Sequence, residues 1–363
     1  MSPGERVLLQ FPELDPIVAV SATAHADALA HHDRLTKPRG ALGRLESLGA
    51  QLSAISALVP PPVPQHPAIA VFAADHGVLR EGVSPWPQEV TAQMVANFTA
   101  GGAAINVLAR QAGATVAVVD VGVVGDLDAA PTLRLCKVRP GTDNLRVAPA
   151  MTHDDAIATI RVGILIGQEL LAAGADLLVG GDMGIGNTTS SAAVIAALTG
   201  TPAERVTGRG TGIDDAMLGH KIVVIRDALH RMQTAHPDDA GDPLVVLTEV
   251  GGLEIGALAG FYLAAAAARI PVIVDGVIAL AGACLAHAFE PLVADYLVAG
   301  HRSTEPAAQV ALVWLEVDPL VDLSMRLGEG SGAALAVPIV QAAAAIMRDM
   351  ATFDSAGVSD KAG

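Results

Sequence analysis

Between residues 68 and 303, short apolar runs alternate with longer stretches of helical periodicity, and each run ends on a polar residue and a glycine. "AIAVFAADHG" closes on Asp75-His76-Gly77, "ATVAVVDVG" on Asp120 and Gly122, and "ADLLVGGDMG" on Asp182 and Gly184. "PVIVDG" closes on Asp275-Gly276, and "DYLVAGHRS" on Gly300-His301-Arg302-Ser303. The stretches 154–173, 214–232 and 253–268 between them read as helices. Strands alternating with helices predict an α/β fold: a Rossmann-like parallel sheet with right-handed crossovers, flanked by helices. Ligands of such sheets sit beyond the carboxyl ends of the strands, where these endings gather. A single aspartate after a strand reads as a helix cap or turn former. Five similar endings on one edge point to a shared pocket.

Residues 1–60 show helical periodicity on either side of a break at Lys37-Pro38-Arg39-Gly40. "VPPPVPQHP" (59–67) is a stiff connector and the best candidate boundary. The expected partition has an N-terminal helical segment (1–60) and a large α/β domain (61–325). A C-terminal helix and tail (326–363) completes a small helical domain with the first segment.

Composition narrows the class. Hydrophobic residues make up 52% and aromatics 3%, so Ala, Val, Leu and Ile do the packing. That suits buried parallel strands under alanine-rich helices. A formal net charge of -16 argues against nucleic-acid binding. Cys136 and Cys284 form no CxxC, and the eleven histidines include no HxxxH or HExxH, so no metal is expected. The start of the chain lacks the basic and apolar regions of a signal peptide. The most membrane-like stretch, 257–288, is interrupted by Arg269, Pro271 and Asp275. No membrane insertion and a cytoplasmic location are therefore expected.

Two glycine clusters carry the candidate chemistry. In "GGDMGIGNTTSSAA" (180–193) an apolar run leads into a glycine turn and a helix start. Unpaired N–H groups and the helix dipole make such a turn an anion cradle. It lacks the Gly-Lys-Ser/Thr ending of a Walker loop. Thr189 stands where a dinucleotide fingerprint needs its third glycine. A phosphomonoester on a sugar fits it; an ordinary tight β–α turn is the competing reading. In "RLGEGSGAALA", Gly328-Glu329-Gly330-Ser331-Gly332 opens a long helix starting near Ala333, and Arg326 precedes it. Glu329 reads either as a helix-start acid favoured by the dipole or as a carboxylate placed to reach a ligand. In a partly dry pocket a glutamate can serve as general base.

Taken together, "LTKPRGALGRLE", "ADHGV", "EGVSPWPQEVTAQMV", "GDMGIGNTTSSAA", "TGRGTGIDD", "VGGLEIGALAG", "PVIVDG", "GHRSTEP", "RLGEGSGAALA" and "MATFDSAGVSD" run in order from about residue 30 to 360. This array resembles the nicotinate-nucleotide–dimethylbenzimidazole phosphoribosyltransferase family. The resemblance implies transfer of phosphoribose from nicotinate mononucleotide to 5,6-dimethylbenzimidazole, a homodimer, and no metal or organic cofactor. It also implies Glu329 as general base, with Asp182 as a second acid. Gly184, Gly186, Asn187, Thr188, Ser303, Arg326 and Gly328 would hold the phosphate, with Lys221 near the nucleotide. Ser84, Trp86 and Gln88 would contact the benzimidazole. The chain departs from the family pattern at Asp182, where well-known members carry a glutamate, and at Trp86, usually a tyrosine. Arg39 and Ala41 vary the usual Pro and Ser of "KPPGSLG". The alternatives are a non-catalytic azole- or nucleotide-binding homologue, an NAD-dependent oxidoreductase, and a phosphoribosyl-pyrophosphate transferase. The last is disfavoured because Asp214-Asp215 follow the glycines rather than precede them.

Overall fold

The computed structural model describes residues 11–210 and 212–359. The first ten residues, the last four, and Thr211 within "TGRGTGIDD" lie outside them. Helices α1 (Ala22–Arg34) and α2 (Arg44–Ser56) come first and pack on each other. The break between them is held by Lys37, whose Nζ donates to Glu46 Oε1 at 2.7 Å, both side chains buried. The "LTKPRGALGRLE" motif thus contains the ion pair that closes its own turn.

Strand β1 (Pro67–Ala74) begins on the last proline of the predicted connector, so that connector ends one residue early. A short 3-10 turn (Gly77–Glu81) leads to α3 (Glu89–Thr99), α4 (Ala104–Ala112), β2 (Thr115–Gly122) and β3 (Leu133–Leu135). Next come α5 (His153–Ala172), β4 (Leu177–Met183), α6 (Asn187–Thr199), α7 (Ala203–Val206), α8 (Asp215–Ala235), α9 (Pro243–Val250) and α10 (Leu253–Ala267). The chain continues through β5 (Val272–Val274), α11 (Val277–Phe289), β6 (Leu297–Ala299), α12 (Pro306–Trp314), α13 (Ser331–Asp349) and α14 (Phe353–Ala356).

All six strands are parallel, in the order β3-β2-β1-β4-β5-β6. The order reverses between β1 and β4, which opens a crevice at their carboxyl ends. The sixth strand, β3, is not among the predicted runs: three residues carry too little periodicity to stand out.

The sheet is buried on both faces. Along β1, Ala68, Ala70, Phe72 and Ala74 enter one core, and Ile69, Val71 and Ala73 enter the other. On the first face α10 packs against β1, β2 and β4, with α5 across it. Those two helices meet backbone to backbone: a Cβ on Gly163 would stand 1.8 Å from Ala257 O. On the second face lie α3, α4 and α13. Helix α13 also packs on α2, so segments from both ends of the chain meet there. Of all described helices only α13 is long and apolar enough to cross a bilayer, and more than half of it is buried in the fold. The predicted 257–288 stretch divides instead into α10, β5 and α11, all core elements.

Candidate active site

The two glycine clusters converge on one cavity of about 590 Å³ at the carboxyl edge of the sheet. The end of β4 supplies Asp182 to its wall, and the segment after it supplies Gly184, Asn187 and Thr188. Ser303 and Glu305 come from beyond β6, and Arg326, Gly328 and Glu329 from the approach to α13. Trp86 borders it with Val90 and Met94 of α3.

Each turn enters its helix through a left-handed glycine: Gly186 (φ 96°) for α6 and Gly330 (φ 86°) for α13. A side chain at either position would be strained. In the first turn the Gly186 and Thr188 N–H groups donate to nothing among the described residues. They are the orphan donors of a helix start; Thr188 lines the cavity, whereas Gly186 lies beside His76 and does not. Asn187 is tied back by its Nδ2, which donates to Asp182 Oδ2 at 3.0 Å. Thr188 Oγ1 accepts from Lys221 Nζ at 2.8 Å.

The second turn is occupied from inside. Asp275, after β5, accepts from Gly330 N at 3.2 Å through Oδ2 and from Ala333 N at 2.9 Å through Oδ1. A carboxylate from another strand therefore caps α13. His301 Nε2 lies 3.4 Å from Asp275 Oδ1. The two turns are thus not equivalent anion cradles, although the sequence suggests the same use for both.

Glu329 has a left-handed backbone (φ 65°) without being glycine. Such a conformation persists only where surroundings fix it. Here Asp182 O accepts the Glu329 N–H at 3.3 Å, and the neighbouring Ser331 Oγ donates to Gly328 O at 2.7 Å. The Glu329 side chain is buried, and its Oε2 accepts the Ile105 N–H at the start of α4 at 3.2 Å. Burial pushes its carboxyl above the ordinary glutamate range. The Ile105 N–H opposes that shift, and the Asp275 charge adds to it.

Asp182 is raised further. Burial comes first, then the charges of Asp275 and Glu254, against the pull of Asn187. Its Oδ1 is buried without a partner. Burial, the neighbouring acids and an unpartnered oxygen all disfavour the charged form of this carboxyl.

Lys221 does not border the cavity. It is buried behind the first turn, with Thr188 Oγ1 and Gly208 O as its partners. Burial lowers its pKa to about 8, with Glu305 opposing. Arg326 is exposed at the rim, and its Nη1 donates to Gly210 O at 2.7 Å. Ser303 is buried in the wall, and its Oγ accepts from Glu305 N at 3.3 Å. Glu305 Oε1 in turn accepts from Gly210 N at 2.9 Å.

Of the three residues predicted against the ring, only Trp86 borders the cavity. The Ser84 hydroxyl accepts the Trp86 N–H at 3.3 Å, and Gln88 is the residue before α3. Val90 and Met94, four residues apart on α3, lie on one face of that helix, and Trp86 sits in the bend that precedes it. That helical spacing was the signal for Val90 and Met94. His76, a predicted strand-end residue, is buried between Glu254 (2.7 Å) and Ser190 (3.0 Å) and braces the loop rather than bordering the cavity. Asp214 accepts from Met217 N at 2.9 Å and caps α8. Among the described residues no group of three His, Cys, Asp or Glu side chains is placed to hold a metal ion.

A family model described as Phosphoribosyltransferase (DBI_PRT) matches residues 17–358. A nicotinate-nucleotide–dimethylbenzimidazole phosphoribosyltransferase of Salinispora tropica is 51% identical over 352 residues, covering 93% of this chain and 96% of the relative. Its counterpart in Chloroflexus aurantiacus is 52% identical over 349 residues, covering 96% and 97%. The crystal structure of CobT from Thermus thermophilus superposes with a TM-score of 0.90 at 48% identity, covering 93% of this chain and all of that one.

Proposed function

The chain belongs to the nicotinate-nucleotide–dimethylbenzimidazole phosphoribosyltransferase family and is an enzyme of that class; from this premise we propose how its cavity carries out the transfer. Nicotinate mononucleotide binds with its phosphate on the free N–H groups of Gly186 and Thr188. Asn187, Ser303, Arg326 and Gly328 complete that end, and Lys221 supports it from behind Thr188. The flat azole, 5,6-dimethylbenzimidazole, lies against Trp86, Val90 and Met94.

Glu329 is the general base. One ring nitrogen of the azole attacks ribose C1 while Glu329 takes the proton from the other. The C1–N bond to the pyridinium breaks, and its electron pair returns to the nicotinate nitrogen. Attack from the face opposite the leaving group inverts C1, giving α-ribazole 5'-phosphate and nicotinate. A pyridinium leaves as a neutral ring, so its departure needs no proton. Holding sugar and azole in line can supply about 7–11 kcal/mol of the barrier. Asp182 contributes by fixing Asn187 through its side chain and Glu329 through its carbonyl.

The observation that carries this reading is Glu329: a buried carboxyl made more basic by burial, on the cavity wall across from a turn with free N–H donors. An oxidoreductase needs the dinucleotide fingerprint that Thr189 interrupts, and a mere binder has no use for such a base. We further propose a cytoplasmic homodimer, with the helices of 1–60 and 326–363 forming a small domain beside the 61–325 domain. Purified protein should convert nicotinate mononucleotide and 5,6-dimethylbenzimidazole to nicotinate and α-ribazole phosphate, followed by chromatography. Binding of both substrates without product would refute the proposal.

A further inference from the structure

The base assignment leaves Asp275 unexplained. It is buried at 1% exposure, follows β5, and touches Glu329 only through the backbone around it. We infer that Asp275 is a positioning residue for the transfer: its carboxylate clamps the N–H groups of Gly330 and Ala333, fixes Glu329 toward the azole, and sets a negative charge behind it.

Three observations carry this. Glu329 is a non-glycine residue at φ 65°, and the bond to Gly330 N holds the very next residue. The bond to Ala333 N ties the same carboxylate to the first turn of α13, so Glu329 cannot shift without moving a 19-residue helix. A Cβ on Gly181 would stand 2.4 Å from Glu329 O, so β4 closes the other side and leaves no slack.

Opposing influences act on the Asp275 carboxyl. Burial raises its carboxyl, but His301 and the N–H groups of Ala333, Gly276 and Gly330 favour the charged form. Four influences surround the Glu329 carboxyl. The Asp275 charge and the Asp182 carboxyl lie on the strand side, His301 lies against Asp275, and the N-terminus of α4 acts through Ile105 N. Of these, the Asp275 charge favours protonation of Glu329 and the α4 terminus opposes it. Removing the charge while keeping the shape therefore weakens the base.

This inference rests on Glu329 being the base, and the test separates the two. Asp275→Asn is assayed for kcat, KM and the pH profile of kcat, with Glu329→Gln alongside. We expect kcat to fall about 10-fold to 100-fold, as for a reacting group displaced by about 1 Å. KM for nicotinate mononucleotide should stay within about threefold, since ground-state binding is untouched. The acid limb of the kcat profile should move to lower pH by about half a unit or more. An unchanged kcat, or a lower kcat with an unmoved limb, overturns the inference. Wild-type activity in Glu329→Gln instead overturns the base assignment itself.

Should Asp275→Asn fail to fold, backbone amide NMR of the wild-type protein decides. The Ile105 N–H reports Glu329, and the Gly330 and Ala333 N–H groups report Asp275. We expect the Ile105 signal to titrate above the usual carboxylate range while the other two stay fixed across that step. Titration of Gly330 and Ala333 at a higher pH than Ile105 would mean a neutral Asp275 behind an ionised Glu329, and overturns the inference.

Discussion

The glycine turns before α6 and before α13 share one backbone device and put it to opposite uses. Both enter the helix through a left-handed glycine, and neither has a side-chain cap from its own N-cap residue. Before α6 the N–H groups of Gly186 and Thr188 remain unspent, and Thr188 lines the cavity. Before α13 the N–H groups of Gly330 and Ala333 already hold an internal one, the Asp275 carboxylate. A helix N-terminus is therefore only a potential site, and what decides is whether the fold has filled it. The filled turn gains rigidity and presents a side chain; the open turn keeps its donors for substrate.

The largest test of that division is Glu329→Gln. If the filled turn exists to present a base, kcat should fall about 10²–10⁴-fold. Binding of nicotinate mononucleotide, read by calorimetry, should stay near wild type because the open turn is untouched. Equal losses of kcat and of nucleotide affinity would show that the two turns are not separable.

Gly186→Ala attacks the open turn instead. A side chain at φ 96° is strained, costing about 1–2 kcal/mol, and the turn must move to relieve it. Denaturant unfolding should register that loss, and KM for the nucleotide should rise more than kcat falls.

A pH series sharpens the comparison further. The two turns are supported by groups that titrate in different directions from their ordinary values. Lys221, behind the open turn, titrates at about 8 and is cationic below that. KM for the nucleotide should be flat below pH 8 and rise above it. Glu329 acts only when ionised, so kcat should fall on acidification through a pKa above the ordinary glutamate value. For stability the sign is fixed by linkage. Lys221 has its pKa lowered from 10.5 in the fold, so between about 8 and 10.5 the unfolded chain binds more protons. Stability from this group therefore rises with pH across that window. Lys221→Met should abolish both that rise and the KM dependence.

The smallest expected effect is at the ring end. Trp86→Tyr alters one edge of the cavity, so azole preference should shift by a factor of about 10 or less, with little change in fold. Competition between benzimidazoles of different ring size measures it.

The strands and both glycine turns were legible in the sequence, and the illegible part, their division of labour, has a physical cause. Apolar runs with polar-glycine endings identified five of the six strands, because buried parallel strands are continuously apolar. The three-residue β3 gave no such run. Glycine spacing located both turns, since only glycine enters the left-handed region freely. It did not reveal that Asp275, more than fifty residues before Gly330, fills the second turn: a cap supplied by another strand has no local signature. The same holds for Lys221, expected near the nucleotide and found one layer behind, with Thr188 between it and the cavity. Ser84 and Gln88, which the resemblance of "EGVSPWPQEV" implies, do not border the cavity, whereas Val90 and Met94, on one face of α3, do.

A crystal structure of Glu329→Gln with nicotinate mononucleotide and 5,6-dimethylbenzimidazole bound together would put the division of labour between the turns to the proof. The phosphate should lie within hydrogen-bond reach of the Gly186 and Thr188 N–H groups. One azole nitrogen should face ribose C1 and the other the residue-329 side chain. A phosphate seated at the Gly330 turn, or an azole whose ring nitrogens both point away from residue 329, would contradict both assignments.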